Sequence, residues 1–429
     1  MSRIIIGDVI ANNSPDKMID DIDSNFAEVF AAIDTTPASY GVSWDELAKT
    51  YTRTGSLIGQ PTSQTLDDSL LPVHALMRRC IINNAGVVQY YLGATDSTKK
   101  EDMITASNLT GLDGQVVVQI IKFYYRYAYT GRHTWEISLL PKAGFTVHPA
   151  FIKNGEVVDY RYIGAYEGVG YDASVGTYID SGCAHATNWS GTVIDLVNDK
   201  LGSVSGFCPM VDEKRAEFRA IAANRGTGWR QKDFDLASAV QLLYVIEYAD
   251  WDSQAMIGIG RTEISGGTWT KDSYIGVTGK SNSDGNKTNS VGGNTNDAYM
   301  TYRGIENFFG NIRKFVDGIN INDNVPYVSN TDTEFADDTA TNYTALAVTL
   351  ANANGCVKTL AQQSRGFLPA SVGGSSSTYI ADYYYQSTGW RVVRLGGNAN
   401  NALCAGVACW CASVSSAGDI ANIGSRLCF

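Results

Sequence analysis

DFDLASAVQLLYVIEYAD, residues 233–250, is the stretch on which the fold turns. Asp233 or Asp235 can cap a helix N-terminus, and no Gly or Pro interrupts the run that follows. Leucine, valine, isoleucine, alanine and tyrosine surround most of the helix, with no wide polar face. Such a helix must be covered on most sides, so it is expected to lie buried against a sheet.

The flanking sequence supplies strands for that sheet. DGQVVVQIIKFYYRYAY is rich in β-branched and aromatic residues and predicts one long strand over about 114–129. WEISLLP and FTVHPAFI continue in the same manner, whereas LPVHALMRRC reads as helical. GVVQYYLGA, TALAVTL, STYIADYYY and GWRVVRLGG read as short strands. GKSNSDGNKTNSVGGNTNDA, residues 279–298, has almost nothing to place in a core and predicts an exposed loop. Near the beginning, Ser14 and Pro15 open a helix with a thin apolar stripe of Met18, Ile22, Phe26, Val29 and Ile33. A stripe that narrow predicts a coiled-coil or bundle seam, or else a helix packed on its own domain.

Composition bounds the function. The chain has 429 residues, 44% hydrophobic and 18% charged, which suits a large folded core. A net charge of −11 speaks against a nucleic-acid partner, since phosphate binding needs a basic surface. No apolar run reaches the length of a membrane span and no leader pattern opens the chain, so no membrane insertion and synthesis in a cytoplasm are expected. The eight cysteines are then expected as thiols.

Several segments together resemble a known family. GWRQKDFDLASAVQLLYVIEYAD resembles the central helix of the C-type lectin fold of formylglycine-generating-enzyme type. ENFFGNIRKFVDGI (306–319) resembles its Gly-Asn-Val-Trp-Glu-Trp motif through Gly310, Asn311, Ile312 and Phe315. GWRVVRLGG (389–397) resembles its Arg-Val-X-Arg-Gly-Gly turn, and IGSRLCF (423–429) its closing strand. DKMIDDIDSNFAEVFAAI resembles the N-terminal helix of phage tail-fibre and baseplate proteins. The C-terminal layout resembles the variable proteins of diversity-generating retroelements, in which adenines of the 3′ coding end are randomised.

The resemblance implies an α+β protein in three parts. Residues 1–36 would be a coiled-coil-like helix for virion attachment and oligomerisation, and 37–110 a small mixed adaptor region. Residues 111–429 would be a C-type lectin-like domain with a variable region over about 390–429. It implies a phage tail-fibre receptor-binding protein and no enzyme, a homotrimer on the virion that meets other tail proteins and a bacterial cell-surface protein or glycan. Adenine randomisation converts Asn codons into codons such as those for Cys, Ser, Asp, Gly or Ile. The implied ligand-binding positions are therefore Asn398, Asn400, Asn401, Leu403, Cys404, Ala408, Cys409, Cys411, Ser413, Val414, Gly418, Asp419 and Ile420. Gly396, Gly397, Gly406, Trp410, Gly424, Arg426 and Phe429 would be scaffold, with Arg391, Arg394 and Arg426 as buried partners or exposed groups.

Two other functions compete. A formylglycine-generating oxidase would use Cys404 and Cys409, but no basic neighbour in AGVACW lowers a thiol pKa. A carbohydrate-binding module without diversification is the other. No cofactor is expected. GVGYDASVG and SNSDGNKTNSVGGNTND are oxygen-rich enough for calcium, but neither has EF-hand spacing, and C-x4-C-x-C is poor zinc spacing. His148, before Pro149, is expected as a satisfied core residue.

Overall fold

The computed structural model describes residues 38–180, 194–375 and 380–429. The expected helix within 1–36 lies outside them. The described chain is mainly β-sheet, with three helices: α1 (Arg215–Ala223), α2 (Phe234–Tyr248) and α3 (Ser253–Ile257).

Helix α2 is buried along its whole length, as its all-round apolar surface requires. Asp233 is the cap, accepting from Leu236 N–H at 2.8 Å, and Ala249 ends the helix in the left-handed conformation. Around α2 pack strands from two sheets. One has five strands, in the order Thr50–Gly55, Ser39–Asp45, His133–Ser138, Tyr124–Tyr129 and Thr146–Val147. The other has nine; eight run in the order Thr344–Ala345, Val325–Val328, Arg313–Asn322, Trp390–Leu395, Trp410–Val414, Tyr383–Gln386, Gly355–Leu360 and Pro369–Val372. Its ninth, Ile423–Gly424, runs parallel to Arg313–Lys314.

A six-stranded sheet joins Arg230–Gln231, Leu427–Cys428, Tyr160–Gly164, Gln115–Ile121, Arg78–Ile82 and Val88–Tyr91. Strands from 39–91 thus share sheets with strands from 115–164, and their side chains enter one core with Trp410 and α2.

Several local expectations need correction. The strand expected over 114–129 is two strands in different sheets. The break falls at Lys122 and Phe123, where Phe123 drops into the core edge-on to Phe151, with ring centroids 5.2 Å apart. Within LPVHALMRRC only His74–Leu76 is helical, as a single 3-10 turn; Arg78–Ile82 is a strand paired to Gln115–Ile121. The 279–298 segment is not uniformly exposed. Buried Glu306 accepts from Gly279 and Ser281 N–H at 2.8 and 2.7 Å, and Asp284 accepts from Tyr299 Oη at 2.6 Å. That loop is fastened by hydrogen bonds rather than apolar side chains, which its composition does not reveal. Among the described residues six cysteines are free thiols, but Cys208 is disulfide-bonded.

Candidate functional site

The tail from Gly396 onward alternates between pinned and open positions. Gly396 has φ +91°, and a Cβ there would stand 2.8 Å from Phe308 O. A Cβ at Gly406 would meet the Asp382 carboxylate at 2.0 Å, and one at Gly424 would meet Met210 O at 2.4 Å. Trp410 is fully buried, edge-on to Phe234 of α2 at 6.0 Å. Arg426 is buried and donates to Gly164 O at 2.7 Å and Asn307 O at 3.1 Å. These are residues that the sequence reading places in the scaffold.

The connection between Gly397 and Trp410 is tied to the core by its own backbone. Ala399 N–H donates to Asn311 O at 2.9 Å, and Ala402 N–H to Thr262 O at 2.8 Å. Gln254 Nε2 reaches both Ala402 O and Ala405 O at 2.7 Å, and Gln241 Nε2 reaches Val407 O at 2.7 Å. Buried Asp382 accepts from Ala408 N–H at 2.6 Å. These bonds fix the loop's backbone, and its small apolar residues Ala399, Ala405, Val407 and Ala408 are buried beneath it.

On this frame the thirteen expected ligand-binding positions divide. Asn400, Leu403, Asp419 and Ile420 are exposed, Leu403 to 48%. Asn401, Cys404, Ser413, Val414 and Gly418 are half-buried. Asn398, Ala408, Cys409 and Cys411 are buried, each at 3% exposure or less, and have no surface to offer a ligand. Asn398 instead shapes the turn: its N–H donates to Asn401 Oδ1 at 3.0 Å, and its Oδ1 accepts from Asn400 N–H at 3.3 Å. The spacing gave no means of separating these four from their neighbours, since burial here is set by the strand alternation and by α2.

The nine-stranded sheet brings further residues beside the open positions. Phe315 pairs with Arg394, Arg394 with Cys411, and Cys411 with Tyr385, so four neighbouring strands place these side chains in one row on the face away from α2. The adjacent positions add Arg313, Ser413 and Tyr383, the last opposite Cys356. Arg394 donates to Cys411 Sγ at 2.6 Å and Ser413 Oγ at 3.3 Å. Arg313 lies with its guanidinium 5.0 Å from the Tyr385 ring centre and donates to Asn401 Oδ1 at 3.0 Å. Tyr383 and Tyr385, both half-buried, stand side by side with centroids 4.5 Å apart. The sequence reading missed Arg313, Tyr383 and Tyr385 as site residues. The i, i+2 tyrosines of ADYYYQ were the available signal, because a strand puts such a pair on one face.

The electrostatics of the thiols are those of buried apolar groups. Burial first, and the nearby Asp382 second, push both Cys404 and Cys409 above the ordinary thiol range. Burial also holds the Asp382 carboxyl well above the usual carboxylate range, opposed by its bond from Ala408 N–H. His148 is a core residue accepting from Ala150 N–H at 3.2 Å, and burial pushes it down to about 3. Among the described residues no three His, Cys, Asp or Glu side chains come together to hold a metal ion. No helix among them is long and apolar enough to cross a membrane.

No family model and no curated protein matches this chain. Two solved structures align with it over 92% of its length and 72% of theirs, at 12% identity and a TM-score of 0.28: a Major Tropism Determinant P3c variant and a U1 variant of the same protein.

Proposed function

We propose that this chain is a receptor-binding protein of a phage tail fibre, and that its binding surface is the turn at 398–404 with the half-buried Arg313, Tyr383, Tyr385 and Ser413 of the nine-stranded sheet. The observation that carries this reading is the division of the tail: rigid Gly, Trp and Arg positions alternate with open ones on a loop fastened at both ends. Exposed side chains can then be exchanged without moving the backbone, the arrangement that a diversified binding surface needs.

The finer parts of the reading rest on the sequence resemblance. They are a C-type lectin-like layout, diversification by a retroelement, a homotrimer joined through residues 1–36, and attachment to other virion tail proteins. The partner is a bacterial cell-surface protein or glycan, and no cofactor takes part. Many weak contacts multiplied over several copies would supply the adsorption strength. The reading is of a binding protein and no enzyme; burial, which raises the Cys404 and Cys409 thiols, speaks against the thiolate that formylglycine-generating oxidation needs.

The test is adsorption. Fluorescently labelled full-length chain is mixed with a panel of bacterial strains, alongside a Leu403→Arg, Tyr385→Ala double variant of unchanged thermal stability. Binding to some strains, lost in the double variant, supports the proposal; binding that survives the change moves the site elsewhere. A reverse-transcriptase gene and a near-copy of the 3′ coding end in neighbouring DNA would support diversification, and their absence would sink it.

A further inference from the structure

We infer that the ligand of this face carries carboxylate groups and is an acidic saccharide, an inference that rests on the binding reading above. Arg394 is 2% exposed, yet its hydrogen-bond acceptors are a thiol and a hydroxyl, and its Nε has no partner among the described residues. Arg313, half-buried on the neighbouring strand and close enough for mutual repulsion, also has an unpartnered Nε and spends its guanidinium on a neutral amide and a tyrosine ring. No carboxylate forms an ion pair with either among the described residues. Other buried arginines of this chain find either a carboxylate, as Arg161 does with Asp233 at 2.6 Å, Arg215 with Asp337 at 2.6 Å and Arg303 with Glu247 at 2.7 Å, or backbone carbonyls, as Arg79, Arg261 and Arg426 do; Arg394 has neither.

Two guanidiniums left without a counter-ion are costly in a protein unless something outside supplies the charge. Asp382 does not serve, because its burial favours the neutral carboxyl, and exposed Asp419 acts on Lys214. The chain as a whole carries −11, so a cationic spot here is a local feature that would draw an anion to this face and away from the rest of the surface.

The surroundings favour a sugar over an acidic peptide. Tyr383 and Tyr385 offer two adjacent ring faces for the C–H face of a pyranose, with the Ser413 hydroxyl and the Asn400 and Asn401 amides around them. A protein partner would need a desolvated apolar anchor, and the exposed large apolar side chain of the 398–404 turn is Leu403. In the complex Arg313 would contact the carboxylate in bidentate fashion. Arg394, lying beneath, would act as a positioning residue through Cys411 and Ser413.

Calorimetric titration of the full chain tests this, with oligogalacturonate, hyaluronate oligosaccharide and polysialate as probes. Carboxyl-reduced oligogalacturonate and polyglutamate are the controls. At least one acidic saccharide is expected to bind about tenfold or more tighter than the reduced form, with affinity falling as salt rises. Arg313→Gln should lose about tenfold. Arg394→Lys should retain binding and its salt dependence, while Arg394→Gln should lose both; the Arg313 variant decides if Arg394→Gln does not fold. Failure of all three saccharides, equal binding of the reduced form, or tighter binding of polyglutamate overturns the inference. If cell adsorption is intact under any of those outcomes, the binding-face proposal stands and the acidic-saccharide inference alone falls.

Discussion

At the scale of single residues, what matters is whether a position has room to change. Gly406 has none: its missing Cβ is the space occupied by the Asp382 carboxyl, which also holds Ala408 N–H. Gly406→Ala is expected to cost about 2–3 kcal/mol, read as a lower denaturant midpoint at unchanged slope. Substitutions at Asn400, Leu403, Asp419 or Ile420 should each stay within about 0.5 kcal/mol, because their side chains meet solvent. A second residue-scale expectation concerns Glu213, which is buried beside Glu217; burial first, then that neighbour, push its carboxyl up to about 9. A carboxyl raised above its unfolded value of about 4.3 binds its proton more tightly in the folded chain, so stability is lost as pH rises from there toward 9. Glu213→Gln should therefore stabilise the protein by about 1–3 kcal/mol at pH 8 and change little at pH 4, measured by urea unfolding at both pH values.

At the scale of elements, α2 depends on Asp233, which caps it and also pairs with Arg161 at 2.6 Å and Arg230 at 3.3 Å. Burial opposes ionisation of this carboxyl, but the two guanidiniums prevail and hold it well below the usual range. Its contribution is present above the unfolded value of about 3.9 and is lost as pH falls through the lower folded value. Asp233→Ala leaves buried Arg161 without its carboxylate, while Arg230 keeps Asp332 at 3.3 Å, and removes the cap; it should cost about 3–5 kcal/mol, seen as a large drop in Tm near neutral pH. The helix itself was legible, since eighteen residues without a polar face have few alternatives. The strand over 114–129 was half legible: its composition was right, but its pattern changes at Lys122 from continuous burial to alternation, the mark of passing between sheets. LPVHALMRRC reads as helical, yet Arg79 lies on a strand with its guanidinium buried, donating to Gly304 O at 2.7 Å and Ser281 Oγ at 2.6 Å, contacts that depend on residues far along the chain.

At the scale of the whole molecule, buried arginines tie separate segments of the chain together. Arg79, Arg215, Arg261 and Arg426 are all buried, and each bonds backbone carbonyls of segments distant from its own. Such bonds satisfy carbonyls of those distant segments, which holds the segments in one arrangement. Arg426→Gln would leave the Gly164 and Asn307 carbonyls short of donors and should lower Tm cooperatively, with no separate early transition.

Local properties were determined by the sequence alone: the buried helix and its cap, and the strand-rich body. These follow from periodicity and residue type, which act over a few residues, whereas the division of the tail into scaffold and open positions came from the family resemblance. Only the tertiary structure decided that Asn398, Ala408, Cys409 and Cys411 are buried, and that Tyr385, Arg313 and Arg394 stand beside the open turn. Those facts depend on which strands become neighbours and which face α2 covers. Pairings such as Arg394 with Cys411, or Phe315 with Arg394 across almost eighty residues, leave no trace in the local pattern of either partner.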